Sequence, residues 1–416
     1  MFEWSETDLM VRDAVRAFID REIRPNLDAL DSGEMLPYPI LTKLFAEFGI
    51  AAMATDSLEK ALAAEEAEAA GSAEGAEKAE SASAAAAEQQ SMMAVLVSEL
   101  SGVCLGLVSA LGVSTGLGAA TIQSRGTLAQ KKRWLPELVT MEKVASWAIT
   151  EPDSGSDAFG GMKTYVRRDG EDYILNGQKT FITNGPFADV IVVYAKLDEG
   201  DASVDKRDRK VLTFVLDKGM EGLTQGKPFK KMGLHSSPTG ELFFDNVRLG
   251  RDRLLGETEE HRGGDGRESA RTNFVAERVG VTFQALGIIE ECHRLCVDYA
   301  KNRKLWGQEI GRFQLVQLKL AKMEIARVNV RNMVFNVIER GRAGKPLSLA
   351  EASAMKLYSS EVATDVAMEA VQLFGGNGYM SEYRVEQLAR DAKSLMIYAG
   401  SNEIQVTHIA KGLLGR

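Results

Sequence analysis

The sequence predicts an α+β protein in three parts: an all-helical N-terminal domain (1–143), a middle domain (144–256) built as an antiparallel β barrel or sandwich, and a C-terminal four-helix bundle (257–416). Three observations carry this. Apolar residues up to Leu138 recur near the helical period; between Val144 and Leu254 they alternate with polar ones in short runs broken by turns; from Glu268 the helical period returns in long runs.

The first helical stretch, Trp4 to Leu30, places Leu9, Val11, Val15, Phe18, Ile19 and Ile23 on one side, with Ser5 as a capping residue. Pro37-Tyr38-Pro39 interrupts it, and a second short helix from Ile40 to Phe48 closes at Gly49. Residues 56–90 are rich in Ala and Glu and hold nine acids against two lysines, most of the chain's net charge of −9. Ala and Glu favour helix, but almost no large apolar residue follows Leu62, so the tract reads as a solvated, partly helical insertion. Display to a partner is its weaker role. From Met92 to Leu138 the pattern is helical, and Gly102, Gly106, Gly112, Gly116 and Gly118 predict helices packed at close range.

Tyr165 to Thr183 alternates around Asp169-Gly170, the turn pair of a two-strand hairpin. Asp189–Leu197, Val211–Asp217 and Glu241–Leu249 supply further strands. Helical runs follow at Phe274–Arg303, Phe313–Arg340 and Leu347–Leu373, then a charged helix through Ala392, a turn at Ile397 to Ser401 and a last helix.

Composition narrows the function. The chain of 416 residues is long enough for two or three domains, and its 45% hydrophobic content is that of a globular protein. Outside the acidic tract the charge is nearly balanced, which excludes a basic nucleic-acid surface. The N-terminus is charged, and no stretch is expected to reach the roughly 18 uncharged apolar residues of a membrane helix, so no membrane-spanning segment and a cytoplasmic location are expected. Cys104, Cys292 and Cys296 are odd in number and lack framework spacing. Cys292, His293 and Cys296 share one helical turn without a second ligand pair, and no metal is proposed. No Gly-x-Gly-x-x-Gly follows a strand and no Gly-Lys-Ser loop occurs, which disfavours nicotinamide and ATP chemistry.

Two strand ends carry candidate ligand contacts. Trp147 to Asp157 runs from a strand into small and hydroxyl residues, whose N–H and O–H groups suit a phosphate or a polar ring edge. Phe181-Ile182-Thr183-Asn184-Gly185 ends the next hairpin the same way, so a flat aromatic ring system is the expected ligand.

Together with TEPDSGSDA (150–158), KMGLHSSPTGELFFDNVRL (231–249), AERVG (276–280), NRKLWGQEIGRFQLVQ (302–317) and the stretch 370–405, these pieces resemble the acyl-CoA dehydrogenase family over nearly the whole chain outside the acidic tract. The resemblance implies FAD, a homotetramer, an acyl-CoA substrate desaturated between its α and β carbons, and an electron-transfer flavoprotein as acceptor. It places Trp147, Ile149 and Thr150 along the isoalloxazine, Phe181 on the ring where the family usually has Trp, and Thr183 near N5. Ser156 falls where the family contacts pyrophosphate or the CoA portion. Arg303, Trp306, Gln314, Gln372, Gly375 and Gly376 match positions that reach the FAD of a neighbouring subunit, and Ser401 and Glu403 match those near its adenosine half.

One position departs from the family. The proton-taking Glu expected in the turn Tyr398-Ala399-Gly400 is Ala399, which keeps only the backbone N–H for a thioester oxygen. Glu277 matches the position from which the isovaleryl- and long-chain branches supply their base, and Arg278 beside it would place the CoA end or tune the site. Pairing of Glu277 with Arg278 or Arg271 on a helix surface is the simpler alternative for that carboxylate. A relative with other chemistry (desulfination or monooxygenation) and a non-catalytic flavin- or acyl-CoA-binding protein are the competing functional readings.

Overall fold

The structure, a computed structural model, describes residues 3–69, 79–201, 203–260 and 264–415. Ser5 and Asp8 cap α1 (Glu6–Phe18) reciprocally: Asp8 N donates to Ser5 Oγ (3.1 Å) and Ser5 N to Asp8 Oδ2 (3.0 Å). The helical path continues through a π turn and a 3₁₀ turn into α2 (Leu27–Ser32), so Val15, Phe18, Ile19, Ile23 and Leu30 form one buried face. After α3 (Tyr38–Glu47), Gly49 at φ +64° turns the chain into α4 (Ile50–Ala69).

That helix revises the reading of the acidic tract. Its first part completes α4 rather than forming a separate insertion: Leu58 is buried and Leu62 packs against the same core. The middle of the tract, 70–78, lies outside the described residues. α5 (Ala79–Leu111), α6 (Ala120–Arg125) and α7 (Leu128–Val139) complete this part. Glu65 and Glu66 of α4 pair with Lys131 (2.7 Å) and Lys132 of α7, so some of the acidity is neutralised at a helix contact.

The expectation that no stretch is long and apolar enough to cross a membrane is also corrected. Among the described residues one does, Gln90–Arg125, by length and composition. The window that qualifies is 83% buried within the protein, so its apolar surface is spent on the core. Its frequent Gly, Ser and Thr had disguised an uncharged run from Leu100 to Ser124.

The middle part is a seven-stranded sheet in the order β1 (Ala145–Ala148), β4 (Val190–Leu197), β2 (Tyr165–Asp169), β3 (Asp172–Thr183), β7 (Thr239–Leu249), β6 (Leu223–Gln225), with β5 (Val211–Asp217) also paired to β4. The Asp169-Gly170 hairpin forms as expected, Asp169 opposite Asp172. A purely antiparallel sheet does not: β1 and β2 both run parallel to β4. Tight turns join only antiparallel neighbours, and β1 reaches β4 through a long connection that returns the chain in the same direction. β4 is buried along its whole length, Val190, Val192 and Tyr194 facing the core shared with α4 and α7, and Ile191 and Val193 facing the other.

The C-terminal part is helical: α8 (Gly266–Asn302), a small hairpin of β8 (Lys304–Leu305) and β9 (Gln308–Glu309), then α9 (Gln314–Arg342), α10 (Leu349–Phe374), α11 (Val385–Ser394) and α12 (Asn402–Leu414). α10 touches all four other helices, and α5 packs against α8 and α9. The last contact needs glycine: a Cβ on Gly287 would stand 2.0 Å from Ser98 O, and one on Gly102 2.8 Å from Gly287 O. Gly106 and Gly118 are likewise crowded, whereas Gly112 and Gly116 face open space, so only part of the glycine run serves packing.

Candidate active site

Next to its end, strand β1 carries Trp147, whose Nε1 donates to Tyr194 OH (3.1 Å) and whose ring meets Phe274 of α8 nearly edge-on at 6.5 Å. Ile149 is buried and Thr150 half-buried, and Thr150 O accepts from Thr180 N (2.9 Å), which pins the loop to β3. Behind it lies a buried ion pair. Lys179 Nζ donates to Glu151 Oε1 (2.8 Å) and Ile149 O (3.0 Å), while Glu151 also accepts from Lys163 N (2.6 Å) and Thr164 N (3.0 Å). Burial works against the Glu151 carboxylate, but Lys179 and these donors hold it below the ordinary range. Ser156, further along the loop, is exposed.

Phe181 is 67% exposed at φ +57°, where the β3–β7 register slips between Lys179 and Ile182. A large aromatic residue in the left-handed region, presented to solvent, is a strained and costly arrangement of the kind found at ligand sites. Its ring leans on Phe229 at 5.7 Å. Thr183 is half-buried at the strand end, and Asn184 then locks three elements: it accepts from Tyr38 OH (3.1 Å) and donates to Ala110 O (2.9 Å) and Ala145 O (3.0 Å).

In the terminal turn Ala399 (φ +57°) and Gly400 (φ +80°) are both left-handed. Buried donors hold its carbonyls: Lys356 Nζ (2.9 Å) and Gln405 Nε2 (2.6 Å) reach Gly400 O, and Gln405 Nε2 reaches Ala399 O (3.0 Å). Lys356 also bonds Asn402 Oδ1 (2.8 Å), and burial lowers its pKa to about 8. Tyr398 OH donates to Gln284 Oε1 of α8 (2.6 Å). Among the described residues nothing accepts from the backbone N–H of Ala399 or Gly400, so both donors are free for a ligand oxygen.

Glu277 and Arg278 stand on α8 one turn beyond Phe274. Arg278 is buried, lies over the Phe274 ring (5.5 Å), donates to Ser353 Oγ (3.0 Å), and has an Nε without a partner. A Cβ on Gly400 would sit 3.5 Å from Arg278 Nη2. Contacts thus run from Trp147 through Phe274 and Arg278 to the terminal turn, uniting three stretches distant in sequence. The surface partners offered to Glu277 do not take it: Arg271 pairs with Glu268 (3.0 Å), and Arg278 turns to Ser353. Glu277 is half-buried, and its carboxyl makes no hydrogen bond among the described residues. Desolvation raises its pKa to about 7, with Arg278 and Lys356 opposing.

The second group of candidates gathers at one end of the helical bundle. Arg303 ends α8, Trp306 sits in the β8–β9 turn, Gln314 opens α9, and Gln372, Gly375 and Gly376 close α10. Tyr299 stacks on Phe374 (4.0 Å) and accepts from Asn377 Nδ2 (3.0 Å), which joins the ends of α8 and α10; the Lys319–Glu369 ion pair joins α9 to α10. All six are exposed, Trp306 at 87%. Among the described residues no hydrogen bond or ring contact connects them to the Trp147–Phe181 cradle of the same chain. Ser401 caps α12 and Glu403 is exposed in its first turn.

Lys356, Asn402, Gln405, Gln284 and the Glu151–Lys179 pair were not singled out from sequence. Polar residues on helices and strands look solvent-facing until tertiary contacts bury them. Among the described residues no group of three or more His, Cys, Asp or Glu is arranged for a metal. Cys292 and Cys296 lie in the bundle core, while His293 turns to Glu324 (3.0 Å).

A curled sheet clasped by helices, with aromatic residues at its strand ends linked through Phe274 and Arg278 to a turn with free backbone donors, suits a flavin-dependent oxidoreductase. Residues 86–142, 146–247 and 264–414 match the N-terminal, middle and C-terminal domains of acyl-CoA dehydrogenase respectively. An acyl-CoA dehydrogenase of Bacillus subtilis is 33% identical over 411 residues, 99% of each chain. The butyryl-CoA dehydrogenase structure from Megasphaera elsdenii superposes with a TM-score of 0.82 at 31% identity, over 100% of both chains. A glutaryl-CoA dehydrogenase from Mycobacterium smegmatis in complex with FADH2 gives 0.82 at 26% identity, over 99% of this chain and 95% of that one. The chain belongs to the acyl-CoA dehydrogenase family of oxidoreductases, whose members bind FAD.

Proposed function

We propose that this protein desaturates an acyl-CoA thioester between its α and β carbons, with Glu277 as the base. FAD, when bound, supplies the acceptor for the β-hydrogen as hydride. Its fit rests on the exposed left-handed Phe181 and on the half-buried Thr150 and Thr183, which offer a ring face and hydroxyl partners at the adjoining ends of two strands. Trp147 and Ile149 would form the wall beside them, and Ser156 would meet the pyrophosphate or the CoA portion.

The chain's own residues divide the remaining work. The free N–H groups of Ala399 and Gly400 hold the thioester oxygen, so that charge developing there as the α-proton leaves is stabilised by fixed dipoles. Glu277 takes that proton. The observation that carries this reading is its half-buried carboxyl, without a hydrogen-bond partner among the described residues and raised by desolvation to about 7, which matches proton transfer near neutral pH. Arg278, already tied to Ser353, keeps the carboxylate form accessible and borders the turn.

Arg303, Trp306, Gln314, Gln372, Gly375, Gly376, Ser401 and Glu403 would complete the FAD site from, or toward, a second subunit of a homotetramer. The exposure of the first six at one end of the bundle favours this, as does an uncovered apolar stripe on α9 (Leu315, Leu318, Ile325, Val328). An electron-transfer flavoprotein is the proposed acceptor, and the cytoplasm the proposed location.

Anaerobic mixing with short, branched and long acyl-CoAs, followed by flavin absorbance, tests the proposal. At least one substrate should bleach the flavin, at a rate that rises with pH through about 7. Glu277→Gln should slow bleaching by about 10²- to 10⁴-fold, the usual contribution of a positioned base. A variant as fast as the parent removes Glu277 from the mechanism. Failure of every acyl-CoA to bleach the parent favours other flavin chemistry or binding alone.

A further inference from the structure

A cavity of about 490 Å³ opens between α1, α5, α8 and α9, and the reaction described above leaves it unused. Glu290 in its wall lies thirteen residues beyond Glu277 on α8, about 20 Å along the helix at 1.5 Å per residue. The volume falls in the range of roughly 300–1,000 Å³ that small-molecule sites occupy.

Its lining is rich in guanidinium groups, six arginines against four carboxylates. Most of these charges are matched. Arg16 clasps Glu99 through two bonds of 2.8 Å, Arg294 clasps Glu291 through two of 2.7 Å, and Arg24 donates to Asp20 (2.8 Å). Arg327 is held by Glu324 (2.7 and 2.8 Å), leaving Glu290 at 3.9 Å. Arg331 is the exception. Among the described residues its guanidinium makes no hydrogen bond and no ion pair within 4.0 Å: it lies over the Phe335 ring (5.5 Å) within the electrostatic reach of Glu290 and Glu324, and its Nε is buried without an acceptor. A guanidinium carries five N–H donors in a fixed fork, and leaving buried ones unmet costs free energy that an oxyanion would recover.

We propose that this cavity is a second ligand site, binding a small molecule through a phosphate or carboxylate group seated on the fork of Arg331. The planar O–X–O edge common to both groups matches the guanidinium geometry. Burial and the neighbouring Glu99 raise the Glu290 pKa above the ordinary carboxylate value, while Arg331, Arg327 and Arg16 oppose that rise. Arg327 and Arg331 are one turn apart on α9, and Leu315, Leu318 and Ile325 lie on the opposite side of that helix.

The test uses the FAD-loaded protein, titrated by calorimetry at constant ionic strength with pyrophosphate in one arm and citrate in the other. Saturable binding of either at one per chain is expected, unaffected by excess coenzyme A. Arg331→Gln should weaken it at least tenfold, and Arg331→Lys, which keeps the charge but loses the fork, several-fold, both with the bound-flavin spectrum unchanged. Binding of pyrophosphate alone assigns the phosphate class, and of citrate alone the carboxylate class. No saturable binding in either arm, competition by coenzyme A, or equal affinity in both variants overturns the proposal.

Discussion

In the proposed mechanism Ala399 would hold the thioester oxygen through its backbone and Glu277 would take the proton. Ala399 retains a left-handed backbone, which alanine adopts at some cost, and only the donors on its carbonyls keep it there. Lys356 is the anchor of that arrangement. Lys356→Met removes the donor to Gly400 O and Asn402 Oδ1, and the loss of stability should be about 1–3 kcal/mol in denaturant unfolding, with a raised KM as the turn loosens. Glu277 gives a pH-dependent prediction of opposite kind. Its folded pKa of about 7 lies above the unfolded value of roughly 4.3, so the folded state holds the proton more tightly. Its contribution to stability is present below the unfolded pKa and is lost as pH rises toward 7. Glu277→Gln, neutral throughout, should therefore raise Tm relative to the parent more at pH 8 than at pH 5. An equal difference at both would mean that the carboxyl is not desolvated. Of this pair, the missing acid and its candidate replacement were legible in sequence, because both sit in recognisable motifs. Lys356, a lone lysine in a helix, carried no such signal.

At the scale of elements, local chemistry foretold local structure. Ser5 with Asp8 starts α1, and Asp169-Gly170 makes its hairpin, because each depends on groups a few residues apart. The parallel neighbours of β4 depend on strands placed by long connections, and nothing in the alternation of β1 or β2 distinguishes a parallel partner from an antiparallel one. The acidic tract misled for a related reason. Leu58 and Leu62 are sparse, yet one buried and one half-buried leucine with two ion pairs to α7 dock the end of α4. The contact of α5 with α8 is the most exacting in the molecule. Gly287→Ala would drive a methyl group into Ser98 O, where backbone cannot yield cheaply, and should destabilise by about 1–3 kcal/mol or more. Gly116→Ala, with open space around it, serves as the control and should be near neutral or stabilising in the same melting experiment.

The molecule as a whole presents surfaces that a single chain leaves uncovered. Leu315, Leu318 and Ile325 form an exposed apolar stripe on α9, and Trp306 and Tyr379 stand out at the bundle end. Ile325→Glu should shift the protein to smaller species in light scattering and lower its FAD content together, since the proposed FAD site draws on a neighbouring subunit. A change in size with FAD fully retained would confine the cofactor to one chain. The sequence by itself determined the order of helices, strands and helices, the family motifs at the strand ends and the vacancy at Ala399, because these follow from periodicity and from residue types at short spacing. Only the tertiary structure decided that the Gln90–Arg125 helix is a core element and that β4 has parallel neighbours. It alone left the Glu277 carboxyl partly desolvated without a hydrogen bond among the described residues and brought its neighbour Arg278 against the terminal turn. Burial and unmet hydrogen bonds are properties of what surrounds a group, and those surroundings are assembled from residues far apart in the chain.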